Sequence, residues 1–303
     1  MHQNQPWQQR IGNQREWIWR GWQIRYSYMR SSERNQNPPM ILVHGFGASI
    51  EHWRNNIPVL KENHTVYALD LLGFGASRKA DTNYTIDLWV NLVRDFWRTI
   101  INKPVILVGN SIGSLVCLRA AQTYPDMVRG LVMLSLPDVS LRQEMLPKII
   151  QPVVNTVENL VASPFLIKNL LKLVRRPNII QNWAKVAYED TTAVNKELVS
   201  ILSAPAYDDG AGATFYALFQ GVKKSTFAPG VKEMLPQLDI PILLIWGLKD
   251  RMIPPSLAPI FAQLNPRVEL VELPGVGHCP HDECPNKFNH ILLDWLGRSV
   301  INH

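Results

Sequence analysis

Ser111 lies in Gly109-Asn110-Ser111-Ile112-Gly113, directly after the apolar run PVILVG (104–109) and ahead of a helix-patterned stretch. Between a strand and a helix, Gly-x-Ser-x-Gly holds a serine hydroxyl on a sharp turn, with glycines where side chains would collide. A serine hydroxyl is a weak nucleophile near neutral pH and needs a general base. His278, in the glycine-flanked Pro274-Gly-Val-Gly-His-Cys-Pro280, is the candidate to take the Ser111 proton through Nε2. Asp250 directly follows the run PILLIWG and ends WGLKD (246–250). It is the candidate to fix the His278 tautomer and stabilise the imidazolium. Asp138, after RGLVMLSL (129–136), is the alternative acid. Such a set attacks carbonyl carbon and must receive an oxyanion. The Ile112 N–H at the helix start and the Phe46 N–H in His44-Gly-Phe-Gly47 are the expected donors. His44 is read as orienting that loop, with a role as second base as the alternative.

Other constellations read as structural. His281, Cys279 and Cys284 crowd His278, but their spacing is not that of a zinc site, and Pro280 and Pro285 break the local chain. No metal or cofactor is called for. Cys117 reads as buried packing. Asp70-Leu-Leu-Gly-Phe-Gly-Ala-Ser77 has glycines but neither a P-loop Lys-Ser/Thr nor Gly-x-Gly-x-x-Gly, and reads as a tight turn.

The elements that must position these groups are legible as short apolar runs. Residues 39–44 (PMILVH), 65–71 (TVYALDL), 104–109, 129–136 and 241–247 read as strands buried on both faces, and 268–272 as a weaker copy. Residues 85–101 and 111–124 are the clearest helices between them. This alternation predicts a mostly parallel sheet with helices on both faces. All three catalytic candidates then fall on loops at the carboxyl edge of that sheet. From 141 to 235 the strand rhythm stops, and helical stretches are separated by Pro152, Pro164, Pro177, Pro205 and Pro229. The expected organisation is therefore a core of 1–140 and 236–303, interrupted by a helical lid at 141–235.

The chain has 303 residues, 46% hydrophobic and 18% charged, enough for one large α/β domain with an inserted subdomain. No apolar run reaches the ~18–20 residues of a membrane-spanning helix. The opening MHQNQP precedes no apolar stretch, so no secretory signal is expected. Three cysteines cannot all pair with one another, which suits free thiols and a cytoplasmic setting. The net charge is +6, and residues 1–40 hold six arginines against two glutamates, with four of the ten tryptophans. Alternation around Gly21 makes this stretch an antiparallel hairpin at a sheet edge rather than a nucleic-acid surface. Peripheral membrane contact is compatible with it. Within the lid, residues 165–176 (FLIKNLLKLVRR) carry four basic residues and no acid. Such a segment suits an anionic bilayer surface or a cap helix roofing the site.

HGFG (44–47), DLLGFGAS (70–77), GNSIG (109–113), WGLKD (246–250) and GHCPHDE (277–283) together resemble the α/β-hydrolase superfamily over about residues 15–298. The resemblance implies the α/β-hydrolase fold, with Ser111 as nucleophile, Asp250 as acid, His278 as base, and Phe46 and Ile112 as the oxyanion hole. Ser111 argues against the related dehalogenases and epoxide hydrolases, which carry Asp there. More narrowly, GNSIGS, GHCPHDE and the lid sequence APAYDDGAGA (204–213) are similar to cyanobacterial and chloroplast hydrolases that include pheophytinase and chlorophyll dephytylase. Ser114 stands where pheophytinase-like sequences often carry glycine. The narrower resemblance implies an apolar ester substrate, with the phytyl ester of a chlorophyll-type pigment as the favoured case, at a thylakoid-type membrane. A general carboxylesterase, a carbon–carbon bond hydrolase, a cofactor-free haloperoxidase and a low-turnover binding protein remain the alternatives.

Overall fold

The computed structural model describes residues 5–31, 37–139, 164–224 and 226–301, with backbone alone for 164–168. In chain order the main elements are β1 (Asn13–Trp19), β2 (Trp22–Met29), β3 (Met40–Val43), β4 (Val66–Leu69), α1 (Ile86–Phe96), β5 (Val105–Asn110), α2 (Ile112–Thr123) and β6 (Val128–Leu134). There follow α3 (Pro164–Val174), α4 (Pro177–Ala187), α5 (Lys196–Ser203), α6 (Ala211–Val222), β7 (Ile242–Gly247), α7 (Leu257–Ala262), β8 (Val268–Leu273) and α8 (Pro285–Leu296).

The eight strands form one sheet in the order β1-β2-β4-β3-β5-β6-β7-β8. β1 pairs with β2, and β2 with β4, antiparallel; every other pair is parallel. The expected N-terminal hairpin therefore forms the sheet edge. It turns through Arg20 and Gly21, both at positive φ. From β3 the chain steps outward to β4, then returns past β3 to β5. That reversal opens a crevice beyond the carboxyl ends of β3 and β5, where parallel sheets place their ligands.

The continuous apolar runs follow from burial on two faces. Ile41, Val43, Leu107, Leu244 and Trp246 join one core cluster, with Trp89 of α1, Leu115 of α2 and Phe261 of α7. Their neighbours Met40, Leu42, Val108, Leu243 and Ile245 point the other way, into a second cluster with Trp53 and with Phe288, Leu292 and Trp295 of α8. Successive side chains on a strand face opposite sides, so each run must be apolar at every position. α1 starts where the Thr85 hydroxyl accepts the Leu88 N–H (3.1 Å).

Between β6 and β7 the described residues include α3 to α6 and the turns that join them; the lid expected at 141–235 has its first part, up to 163, outside the described residues. A largely buried polar chain ties these helices to the core. Arg54 Nε and Arg10 Nη2 both donate to Glu197 Oε1 at the start of α5 (2.6 Å each). Arg54 also meets Asp282 (2.8 Å). Tyr188, just past α4, donates its hydroxyl proton to Asp282 Oδ2 (2.7 Å). The tyrosine proton is thus spent, and His52 Nε2–H donates to the phenol oxygen (2.8 Å). His281 stacks on Trp53, ring centroids 4.2 Å apart.

Burial holds His52, His281 and His44 neutral, lowering the pKa of each, that of His52 to about 4. In the unfolded chain a histidine titrates near its ordinary value of about 6.5. Between these values the unfolded state binds more protons, so stability is present above about pH 6.5 and drains away as pH falls toward 4. His52 alone should account for a loss on the order of 2 kcal/mol between about pH 8 and pH 5. Urea unfolding at the two pH values measures the loss. His52→Gln should flatten the dependence whatever its own cost, and an unchanged slope would mean that His52 is not buried as a neutral ring.

Candidate active site

Ser111 occupies the single-residue turn between β5 and α2, with φ 56° and ψ −122°. A non-glycine residue rarely adopts positive φ, and the strain is held by its surroundings. The Ser111 N–H donates to Leu134 O (2.9 Å), and its carbonyl accepts the Ser114 N–H (2.8 Å). Both flanking glycines are obligatory. A Cβ at Gly109 would lie 2.4 Å from the Gly113 backbone, and one at Gly113 would lie 2.3 Å from Val43 O. Ser114 is part of the same device. Its buried hydroxyl sits 2.8 Å from Gly109 O and from Leu134 O, and it accepts the Leu134 N–H. It thus bridges β5 and β6 at the turn.

Asp250 and His278 meet. The His278 Nδ1–H donates to Asp250 Oδ2 (2.8 Å). The other carboxylate oxygen accepts the N–H groups of Met252 (2.8 Å) and Ile253 (2.9 Å), which fixes the acid's orientation. With the Nδ1 proton given to Asp250, the neutral ring carries its lone pair on Nε2. The two loops approach as closely as glycine allows. A Cβ on Gly247 would fall 2.1 Å from Gly277 O, and Lys249 N donates to Val276 O (2.9 Å).

The serine turn and the histidine loop are in contact through their neighbours. Asn110 Nδ2 donates to Cys279 Sγ (3.9 Å), and Ser135, itself at φ 48°, donates Oγ–H to His278 O (3.1 Å). Among the described residues Ser111 Oγ makes no hydrogen bond to His278. In enzymes without bound substrate this bond is often long and tightens on binding. Asp138, the alternative acid, is buried and accepts the Val231 N–H (3.2 Å).

The loop after β3 lies against the turn: a Cβ on Gly45 would be 3.4 Å from Ser111 Cβ. His44 orients it. Nδ1–H donates to Gly45 O (2.7 Å), and Nε2 accepts the Leu71 N–H (3.1 Å), so both ring nitrogens are used. The 70–77 segment is the expected turn. Asp70 accepts the N–H groups of Ile50 and Ala76 and is paired with Arg25. Ile112 is the first residue of α2, so its N–H has no acceptor within the helix.

Three groups that hold the site went unassigned in the sequence. The Glu283 carboxylate accepts the Gly277 N–H (2.8 Å) through Oε2, and the Glu189 and Asp190 N–H groups (2.9 and 2.8 Å) through Oε1. Burial raises its pKa. The His278 N–H donates to Ala187 O (2.6 Å), and Arg251 pairs with Glu189. The histidine loop is thereby strapped to the end of α4. The only sequence signal was the acidic pair Asp282-Glu283 four residues on, with nothing to say what it grips. Cys279 beside the base is buried, and burial raises its thiol pKa well above the ordinary range.

A cavity of about 140 Å³ opens between the 46–48 and 73–75 loops and the inner faces of α3, α5 and α6. Phe46, Phe74, Leu171, Leu202 and Phe215 line it, together with Lys79. The Lys79 ammonium is already held by Gly75 O (2.5 Å), Ser77 O (3.1 Å) and Asp208 (3.0 Å). A larger groove of about 780 Å³ runs past Pro39, Thr65 and Pro104 at the amino ends of the strands, away from Ser111.

Residues 38–285 match the family described as alpha/beta hydrolase fold. The pimeloyl-[acyl-carrier protein] methyl ester esterase of Shewanella woodyi is 30% identical over 268 residues, 87% of this chain and 95% of the relative. The 2-hydroxy-6-oxo-6-(2'-aminophenyl)hexa-2,4-dienoic acid hydrolase of Metapseudomonas resinovorans is 25% identical over 273 residues, 89% and 87% of the two chains. Chloroplastic pheophytinase of Arabidopsis thaliana is 22% identical over 324 aligned positions, 90% of this chain and 64% of the relative. The strand order, the strained turn after β5 and the match over 38–285 agree: the chain belongs to the α/β-hydrolase fold family.

Proposed function

We propose that this protein is a serine hydrolase that cleaves a carboxylic ester with an apolar portion, through an acyl-enzyme. The reading is carried by the Asp250–His278 pair, which leaves the Nε2 lone pair free on the sheet edge where Ser111 is held in a strained turn. His278 Nε2 takes the Ser111 proton as Oγ attacks the ester carbonyl carbon. The Phe46 and Ile112 N–H groups receive the oxyanion, each donor being worth about 2.7–4 kcal/mol in the transition state. His278 then protonates the departing alkoxide, and the alcohol leaves. A water molecule, deprotonated by the same nitrogen, attacks the acyl-enzyme, and collapse of the second tetrahedral intermediate frees the acid and Ser111.

The cavity supports an apolar substrate. Its described lining is mostly aliphatic and aromatic, and its one cation is spent on the 75–77 carbonyls and Asp208. A dienoate, the anion for which the Metapseudomonas relative is named, would want a free cation there. The likeness to pheophytinase makes the phytyl ester of a chlorophyll-type pigment the favoured substrate within this class.

Ser111→Ala should abolish turnover in a screen of p-nitrophenyl esters of graded chain length that includes chlorophyll a and pheophytin a. Phytol release establishes the pigment ester; preference for acetyl esters makes the protein a short-chain esterase. Failure of a fluorophosphonate to label Ser111 would return it to a ligand-binding role. Asp250→Asn keeps the shape but favours the wrong tautomer, and kcat should fall by roughly 10⁴-fold. Glu283→Gln presents an N–H group to the Gly277 N–H and loosens the strap. A drop in kcat of about 10- to 100-fold with little change in KM is expected from misplacement of His278. Equal kcat in that variant would make Glu283 a bystander.

A further inference from the structure

The outer faces of α3 and α4 do not behave like ordinary protein surface. Leu170 and Leu173 on α3 are 37% and 47% exposed, and Trp183 and Val186 on α4 are 62% and 40% exposed. These are one-sided helices. Leu171 on α3 turns into the cavity, and Ala184 on α4 packs with Tyr188 against Cys279. The inner residues are accounted for, and among the described residues the outer ones stay partly exposed.

The charge along these two helices has one sign. Residues 164–188 contain Lys168, Lys172, Arg175, Arg176 and Lys185 and no aspartate or glutamate. Lys172, Arg176 and Lys185 are exposed, while Arg175 stacks on the Tyr207 ring at 4.3 Å. On a 3.6-residue period, Arg176 lies one turn on from Leu173, and Lys172 and Lys185 sit about 100° round the helix from Leu173 and Val186. The loop carrying Asp250 adds exposed Leu248 and Met252, and it is joined to the end of α4 by the Arg251–Glu189 pair.

Exposed leucine, valine and tryptophan bordered by lysine and arginine, with no acid among them, complement an anionic lipid surface. A protein partner would require an acidic apolar groove of matching shape, whereas lipid headgroups need only the charge. α3 and α4 are eleven residues each, and no helix among the described residues is long and apolar enough to cross a membrane. Contact must therefore lie in the plane of the headgroups. We propose that α3 and α4 seat this protein on an anionic bilayer. Leu170, Leu173, Trp183 and Val186 enter the headgroup–acyl boundary, and Lys172, Arg176 and Lys185 meet lipid phosphates. The proposal does not depend on the role given to Ser111.

The test is co-sedimentation of the whole chain with vesicles of phosphatidylcholine alone, or with about one-third phosphatidylglycerol, at low and high salt. Binding is expected only to the anionic vesicles, and it should weaken as salt rises. Lys172→Glu with Lys185→Glu should lower the partition coefficient at least tenfold, and Leu173→Ala with Trp183→Ala should do the same. All four positions are exposed, and an unchanged thermal midpoint verifies the fold. Wild-type protein that ignores both vesicles would overturn the proposal. So would binding that survives both double variants, or a dimer in solution that Leu173→Ala with Trp183→Ala dissolves while no vesicle is bound.

Discussion

Backbone meeting backbone without intervening side chains is the constraint on which this structure turns. At the carboxyl edge of the sheet, Gly113 lies against the Val43 and His44 carbonyls, Gly109 against Gly113, and Gly247 against Gly277. Each contact would be lost with a single added carbon. The helix after β5 is drawn tight against β3, which sets the strained Ser111 turn beside the 44–47 loop. The loops after β7 and β8 are brought together so that Asp250 and His278 share a proton at hydrogen-bond distance. Polar precision at this edge is a consequence of steric economy.

Around that edge the protein devotes its buried polar groups to fixing loops. His44 spends both nitrogens on backbone, Asp70 gathers two N–H groups and an arginine, and Glu283 gathers three N–H groups. Loops that carry polar backbone into a buried region need partners for every N–H, or each would cost about 1–3 kcal/mol. Carboxylates meet the need well because one side chain can accept several donors. The same logic explains Ser114: its hydroxyl lies within reach of both strands and bridges β5 and β6 at the turn, a contact glycine could not make.

The insertion is part of this arrangement rather than an appendage. Ala187 accepts the His278 N–H, Tyr188 binds Asp282, and Glu197 gathers Arg10 and Arg54, so the helices after β6 are anchored within a few residues of the histidine. The inner side of the same helices closes the apolar cavity, and the outer side presents leucines, a tryptophan and lysines to solvent. One pair of short helices thereby couples three environments: the histidine loop, the cavity and whatever surface the protein meets.

The strands, the helix after β5, the edge hairpin and the candidacy of Asp250 and His278 at strand ends could all be read from the chain. Their signals are local: an apolar run, a turn glycine, and a polar residue just past a strand end. Ser111 was marked by its neighbours for the same reason, because a strained turn demands glycines at fixed spacing. Asp138 and Asp250 looked alike in sequence, each following a strand. The sequence favoured Asp250, and the packing carries Val231 to Asp138 and His278 to Asp250. Glu283, Tyr188, His52 and Ser135 had no local signature, since all their partners but Gly277 lie 93 or more residues away, on distant loops. Sequence by itself determined which residues can do chemistry and which element presents each; the tertiary structure alone decided which of them meet, because hydrogen bonds across loops depend on where the sheet and its insertion bring backbone donors, and no local pattern records that.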